Sequence, residues 1–342
     1  MPNEILTRAI DAVAGGQHLT ADHASAVLDE VMEGRASEVQ TAAFLIALRA
    51  KGETVAELVG LARTMRRLAA SVESPRNDLV DTAGTGGGPS TFNISTAAAL
   101  VAAGAGCPVA KHGNRSSTSR CGSADLLEAL GVDIELEPAA VSRCIEEINF
   151  GFMFAPRHHA AMKHVMPVRR QLAVRTIFNF LGPLTNPAGA TRQLLGVSDR
   201  AYQETIAEAL VGLGCERALV VSADDGLDEI SIAARTRVVE VVDGRTEEWF
   251  VGPEDLGFER TELSTIAGGS PEENAASVRK VLAGEPGPAG HVVILNAAAA
   301  ILAAGGADDL AAAVERARAS LDSGAAQAVL ARLVELSNEL GG

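Results

Sequence analysis

From Thr20 onward, the apolar positions Ala24, Val27, Leu28 and Val31 recur at the spacing of one helix face, and Gly34 ends the run. Ser37 and Gln40 then stand at capping-box spacing ahead of Phe44, Leu45 and Leu48. Thr54 and Glu57 repeat the device before Leu58, Leu61 and Met65. The pattern predicts three short helices and a small all-helical domain over residues 1–72. Its remaining apolar stripe must pack on a second domain or a partner subunit. A segment near 165–190 is expected to complete this domain.

The period changes after Ser74-Pro75-Arg76-Asn77. Short β-rich runs at 79–82, 108–110, 151–155, 218–222 and 237–242 alternate with helical stretches near 95–105 and 123–130. The last fifty or so residues read as Ala-rich helix. Strand–helix alternation predicts an α/β domain over 73–342, with a largely parallel central sheet flanked by helices.

Composition narrows the function classes. A chain of 342 residues with 47% hydrophobic content can bury a sizeable core. A net charge of -15 repels nucleic-acid backbones and anionic membranes. Aromatics at 3% are too few for base-stacking platforms. The apolar stretches near 97–110 and 292–304 are shorter than a membrane span. Cys107, Cys121, Cys144 and Cys215 form no C-x-x-C pair, and Met1-Pro2-Asn3-Glu4 lacks a signal-peptide start, so a cytoplasmic protein with reduced thiols is expected.

Three segments carry candidate chemistry. Gly84-Thr85-Gly86-Gly87-Gly88 follows a strand, and Asn93-Ile94-Ser95-Thr96 opens a helix. Glycines let backbone N–H groups converge, and a helix N-terminus adds to them, which favours phosphate. The hydroxyls of Ser95 and Thr96 can reach phosphate or a hydrated magnesium. No Gly-Lys-Ser/Thr follows, so this is not a P-loop NTPase signature.

The second segment, Lys111-His112-Gly113-Asn114-Arg115-Ser116-Ser117-Thr118-Ser119-Arg120, concentrates cations, an amide and hydroxyls in an acidic protein. It follows a strand, where open α/β sheets bind ligands. Lys111 and Arg120 suit phosphate, and Asn114 suits a polar substrate atom. The third, Asp224-Asp225-Gly226-Leu227-Asp228-Glu229, clusters carboxylates that a magnesium ion would relieve. The alternative readings of these segments are a tight β–α turn, a solvated polar loop and an acidic turn.

Taken together and in order, Gly84–Gly88, Asn93–Thr96, Lys111–Arg115 and Gly122-Ser123-Ala124-Asp125 resemble the anthranilate phosphoribosyltransferase family. So do Val168-Arg169-Arg170, Arg175-Thr176-Ile177-Phe178-Asn179, Gly182-Pro183-Leu184-Thr185-Asn186-Pro187 and Asp225–Ile230. The resemblance spans nearly the whole chain. It implies phosphoribosyl pyrophosphate (PRPP) as donor, anthranilate as acceptor, magnesium as cofactor and a homodimer through the helical domain. It implies PRPP contacts from Gly84, Gly87, Gly88, Thr91, Asn93, Ile94, Ser95 and Thr96. Further PRPP contacts are implied for Lys111, His112, Gly113, Asn114, Arg115, Ser116, Ser117, Thr118, Ser119 and Ser123. Gly84, Asn114 and Arg169 are implied for anthranilate, and Ser95, Asp228 and Glu229 for magnesium. His158 and His159 are expected to be structural or to line the substrate route, and no catalytic base or nucleophile is assigned. The alternatives are a pyrimidine nucleoside phosphorylase, a transferase with another acceptor, or a non-catalytic nucleic-acid-binding relative. The acidic pair counts against the last. The chain departs from the family at Gly88 and Pro89, where aspartate and glycine are usual, and Gly88→Asp is expected to retain activity.

Overall fold

The computed structural model describes residues 2–116 and 120–341. Four helices open the chain: α1 (Glu4–Ala14), α2 (Ala21–Met32), α3 (Glu38–Lys51) and α4 (Val55–Leu68). The hydrophobic pattern names the last three. The first is capped by Asn3, whose side chain accepts from the N–H groups of Ile5 and Leu6. Thr54 and Glu57 form the expected reciprocal box. The Ser37 box closes on one side only. The Ser37 hydroxyl accepts from Gln40 N–H, but the Gln40 amide turns to α1 and makes two 3.0 Å bonds with the Asn3 backbone. A tertiary tie between α1 and α3 replaces the local one.

Seven strands form one sheet: β1 (Val80–Gly84), β2 (Val109–Gly113), β3 (Phe150–Phe154), β4 (Arg192–Gly196), β5 (Arg217–Ala223), β6 (Thr236–Val242) and β7 (Arg245–Val251). Their order is β3-β2-β1-β4-β5-β6-β7. The first five run parallel, and β6 and β7 continue antiparallel. The hydrophobic pattern lacks β4 and β7. β4 is five residues long, and β7 is a largely exposed polar edge, so neither carries a clear apolar period.

Helices cover both faces of the sheet. On one face lie α5 (Ile94–Gly104) and the helix Pro288–Ala303, both almost wholly buried, which accounts for the two apolar stretches. Among the described residues, no helix is long and apolar enough to cross a membrane. On the other face, Leu195, Val220 and Val239 join a cluster with Leu28, Phe44, Leu61, Val168, Phe178 and Leu181. The apolar stripe of α1–α4 therefore packs against residues from 165–184 and, through them, against the sheet.

Candidate active site

Strand order reverses beside β1: β2 lies on one side of it and β4 on the other. The crevice at the carboxyl ends of β1 and β4 is where an open sheet of this kind binds ligands. Gly84 and Gly196, the last residues of these strands, are register partners. Neither has space for a side chain. A Cβ on Gly196 would lie 1.7 Å from the Asp228 carbonyl oxygen, and one on Gly84 would lie 2.7 Å from Asp228 Oδ2. The two glycines let the acidic segment lie across the end of the sheet.

That placement hands each carboxylate a backbone donor. Asp228 Oδ2 accepts from Gly86 N–H at 3.0 Å, and Glu229 Oε1 accepts from Ser95 N–H at 3.0 Å. The second Glu229 oxygen is buried with no partner among the described residues. Burial raises the Asp228 carboxyl above its ordinary value, and burial together with the Asp228 charge raises Glu229 well above its own. The other half of the acidic run serves elsewhere. Asp224 pairs with Arg200 at 2.6 Å, and Asp225 accepts from Ser231 Oγ at 2.6 Å. Asn296 is a contributor that the sequence reading missed. From the buried helix Pro288–Ala303, its amide holds both Ile230 N–H and Ile230 C=O at 2.9 Å, which anchors the acidic pair. Its only signal in the sequence is a lone amide in an apolar run.

The basic segment divides as well. Lys111 and His112 belong to β2, not to the loop after it, which corrects the picture of Lys111 as a loop cation. Lys111 is buried between β1 and α5. Its ammonium donates to the Thr82 carbonyl, to Thr82 Oγ1 at 3.0 Å and to Ser95 Oγ at 3.4 Å. Burial lowers its pKa to about 8, against the pull of Asp81 and Glu229. Arg115 is committed to Asp125 and Glu128 on the helix Ser123–Leu130. Asp125 also receives the N–H groups of Ser116 and Gly122. The Asn114 carbonyl accepts from Ser123 Oγ and Ala124 N–H, and its side-chain oxygen from Arg115 N–H. Gly113 packs so closely that a Cβ would lie 2.2 Å from Ser123 Oγ. Arg120 is exposed. Ser117, Thr118 and Ser119 lie outside the described residues.

At the start of α5, the Asn93 amide is used at both ends, donating to Cys121 C=O at 3.0 Å and accepting from Asn274 Nδ2 at 2.9 Å. Ile94 is buried, Thr96 is buried with its hydroxyl unpartnered among the described residues, and Thr91 bridges to Ala267.

The histidines and Arg169 are the remaining candidates. His112 Nδ1 meets Gly182 C=O at 3.1 Å, which requires the proton on Nδ1 and leaves Nε2 an acceptor. His112 lies 5.1 Å from the His159 ring. Burial, and the neighbouring histidines, lower His112 to about 3 and His159 to about 4, so both are neutral at pH 7. Asp81 accepts from His112 N–H at 3.1 Å and Asn186 Nδ2 at 2.8 Å, tying β1, β2 and the 182–187 loop together. Arg169, on the short helix Met166–Leu172, is half-buried over the Phe178 ring at 5.5 Å. It makes no ion pair with a carboxylate among the described residues.

The donor set fits a magnesium ion shared with a ligand. It offers two adjacent carboxylates, one orphaned oxygen and the Ser95 hydroxyl close by. No group of three or more metal-binding side chains occurs among the described residues. Magnesium prefers such a partial site, keeping waters and phosphate oxygens in its remaining positions.

A helical bundle packed on an α/β sheet, with a glycine loop and an acidic pair at the switch point, is the architecture of the glycosyl transferase family. Residues 7–69 match the glycosyl transferase family, helical bundle domain, and residues 76–327 match the glycosyl transferase family, a/b domain. The anthranilate phosphoribosyltransferase of Rubrobacter xylanophilus is 54% identical over 340 residues, spanning 99% of each chain. That of Symbiobacterium thermophilum is 54% identical over 329 residues, 96% of each. The crystal structure of anthranilate phosphoribosyltransferase from Thermus thermophilus aligns with a TM-score of 0.92 at 46% identity, over 96% of this chain and 99% of that one. The Saccharomyces cerevisiae protein in complex with PRPP and Mg aligns with a TM-score of 0.89 at 28% identity, over 98% of each chain. This chain belongs to the anthranilate phosphoribosyltransferase family.

Proposed function

We propose that the chain transfers the phosphoribosyl group of PRPP to the amine of anthranilate, releasing pyrophosphate, in tryptophan biosynthesis. The observation that carries this reading is the meeting of the glycine loop, the α5 N-terminus and the Asp228-Glu229 pair over Gly84 and Gly196. Gly87 N–H, which has no partner among the described residues, suits a phosphate oxygen, and Lys111 supplies a buried cation beneath the loop. Magnesium held by Asp228, Glu229 and Ser95 would neutralise charge on the leaving pyrophosphate.

Displacement occurs at C1 of the ribose as the aromatic amine attacks. Arg169 suits the anthranilate carboxylate, because a forked guanidinium matches two carboxylate oxygens and this one has no competing acid among the described residues. Asn114 would contact the same substrate. The neutral imidazoles of His112 and His159 add no positive charge beside a sugar ring that becomes cationic. No strong base is needed, since the amine loses its proton readily once the new bond forms. The protein's contribution is positioning and electrostatic stabilisation.

The helical domain, residues 1–72 with 165–190, is the dimerisation unit in this reading. The exposed apolar side chains Ile5, Val39 and Ile46 on α1 and α3 support that role. A reducing, cytoplasmic setting accords with four buried cysteines that form no disulfide.

Anthranilate fluorescence tests the proposal. It should fall with time only when PRPP and magnesium are both present. Constant fluorescence with folded protein would sink the reading.

A further inference from the structure

Arg175 reaches the glycine loop from the segment that packs on the helical domain. Its Nη1 donates to Gly86 C=O at 3.0 Å and its Nη2 to Thr85 C=O at 3.3 Å. Ser198 Oγ donates to the same Gly86 carbonyl at 2.7 Å. The carbonyl of Arg175 itself accepts from Arg49 Nη1 on α3 at 2.7 Å. A chain of hydrogen bonds thus runs from the helical domain to the turn that carries the anion cradle.

The peptide geometry gives this chain a purpose. In a trans peptide, C=O and N–H lie on opposite edges of one plane, and every described peptide bond is trans. Pulling Thr85 C=O toward Arg175 therefore turns Gly86 N–H the other way, where it meets Asp228 Oδ2 at 3.0 Å. Pulling Gly86 C=O the same way turns Gly87 N–H away from the guanidinium. That N–H has no hydrogen-bond partner among the described residues. The arrangement also demands glycine at 87. Its φ is +92°, and a Cβ there would lie 1.8 Å from Arg175 Nη1.

We propose that Arg175 is a positioning residue for the phosphoribosyl donor: its fork, anchored by Arg49 of the helical domain, aims Gly87 N–H at the donor's phosphates while holding Gly86 N–H on Asp228. The seating of the helical domain then sets donor affinity. Lysine cannot replace the fork, because an ammonium holds no two carbonyls in fixed geometry. The inference rests on the reading that PRPP phosphates occupy this loop.

Steady-state kinetics with each substrate varied, calorimetry with magnesium pyrophosphate and thermal melts test it on Arg175→Met, Arg175→Lys, Arg49→Met and Ser198→Ala. Arg175→Met should raise the PRPP KM and the pyrophosphate Kd by about tenfold or more and leave the anthranilate KM within about twofold. Arg175→Lys, Arg49→Met and Ser198→Ala should show smaller rises with the same selectivity. A merely structural residue would lower Tm and move both KM values together. Equal rises in both, or an unchanged PRPP KM and pyrophosphate Kd in folded protein, overturn the proposal. If Arg175→Met does not fold, the other three variants decide by the same criteria. Failure of the wild type to consume anthranilate with PRPP would instead overturn the proposed function, and pyrophosphate binding would still report on the loop.

Discussion

The carbonyl oxygen of Asp228 occupies the place where Gly196 would carry a side chain: a Cβ there would come within 1.7 Å of it. The contact joins the end of β4 to the acidic pair. Because the obstructing atom is backbone, no rotamer change relieves the clash.

Gly196→Ala should therefore push the acidic pair off the cradle. A displacement of about 1 Å at such a site costs about 100-fold, so kcat/KM should fall by about that factor, with a raised magnesium requirement. Magnesium titrations of initial rate check this, and wild-type magnesium dependence would refute it.

At Gly88 the packing leads to a prediction opposite to the one drawn from the sequence. A Cβ there would lie 2.7 Å from Gly226 C=O and 3.2 Å from Asp228 Oδ1. An aspartate at this position also sets a third carboxylate beside Asp228 and Glu229. Gly88→Asp should lose at least about tenfold in kcat/KM, since like charges disfavour one another at this range. Retained activity would show that the 84–90 loop relaxes around the new side chain.

Two of the buried histidines, His112 and His159, make stability depend on acid. The His159 ring is held down to about 4, so the unfolded chain takes up a proton at its ordinary value of 6.5 that the folded chain refuses. The contribution is full above 6.5 and is lost as pH falls toward 4. His112, at about 3, has the same sign. His159→Gln removes one such group. Relative to wild type, the variant should gain about 2 kcal/mol in unfolding free energy between pH 7 and pH 5. Urea unfolding at both pH values measures it. A pH-independent difference would count against a neutral, buried His159.

Lys111 is the buried cation between Asp81 and Glu229. Lys111→Met should destabilise the fold by about 3–5 kcal/mol near pH 7, because two buried carboxylates lose their counter-charge. Burial, offset by Lys111 and by hydrogen bonds from Asn186 and His112, holds the Asp81 carboxyl at about 6. Its folded pKa exceeds the unfolded one, so its favourable contribution is present in acid and is lost as pH rises through 6. The cost of Lys111→Met should accordingly be smaller at pH 5 than at pH 7. Unfolding curves at the two pH values decide this.

The features legible in the sequence are those whose causes lie within a few residues. The caps at Thr20, Ser37 and Thr54, the apolar face of α2 and the strand–glycine–helix succession at 80–104 all follow from local sterics and hydrogen bonding. The family resemblance named Asp228, Glu229 and Ser95, and the acidic composition argued against nucleic acid and anionic membranes as partners. The tertiary structure decided the rest. Gln40 abandons its local box for Asn3, Lys111 turns inward beneath the site, and Asn296 and Arg175 act on segments 66 and 89 residues away. Contacts across such distances exist only after strand order and helix packing have brought the segments together. Because burial then removes water as the alternative partner, the fold, and not the local chain, selects which polar groups must meet.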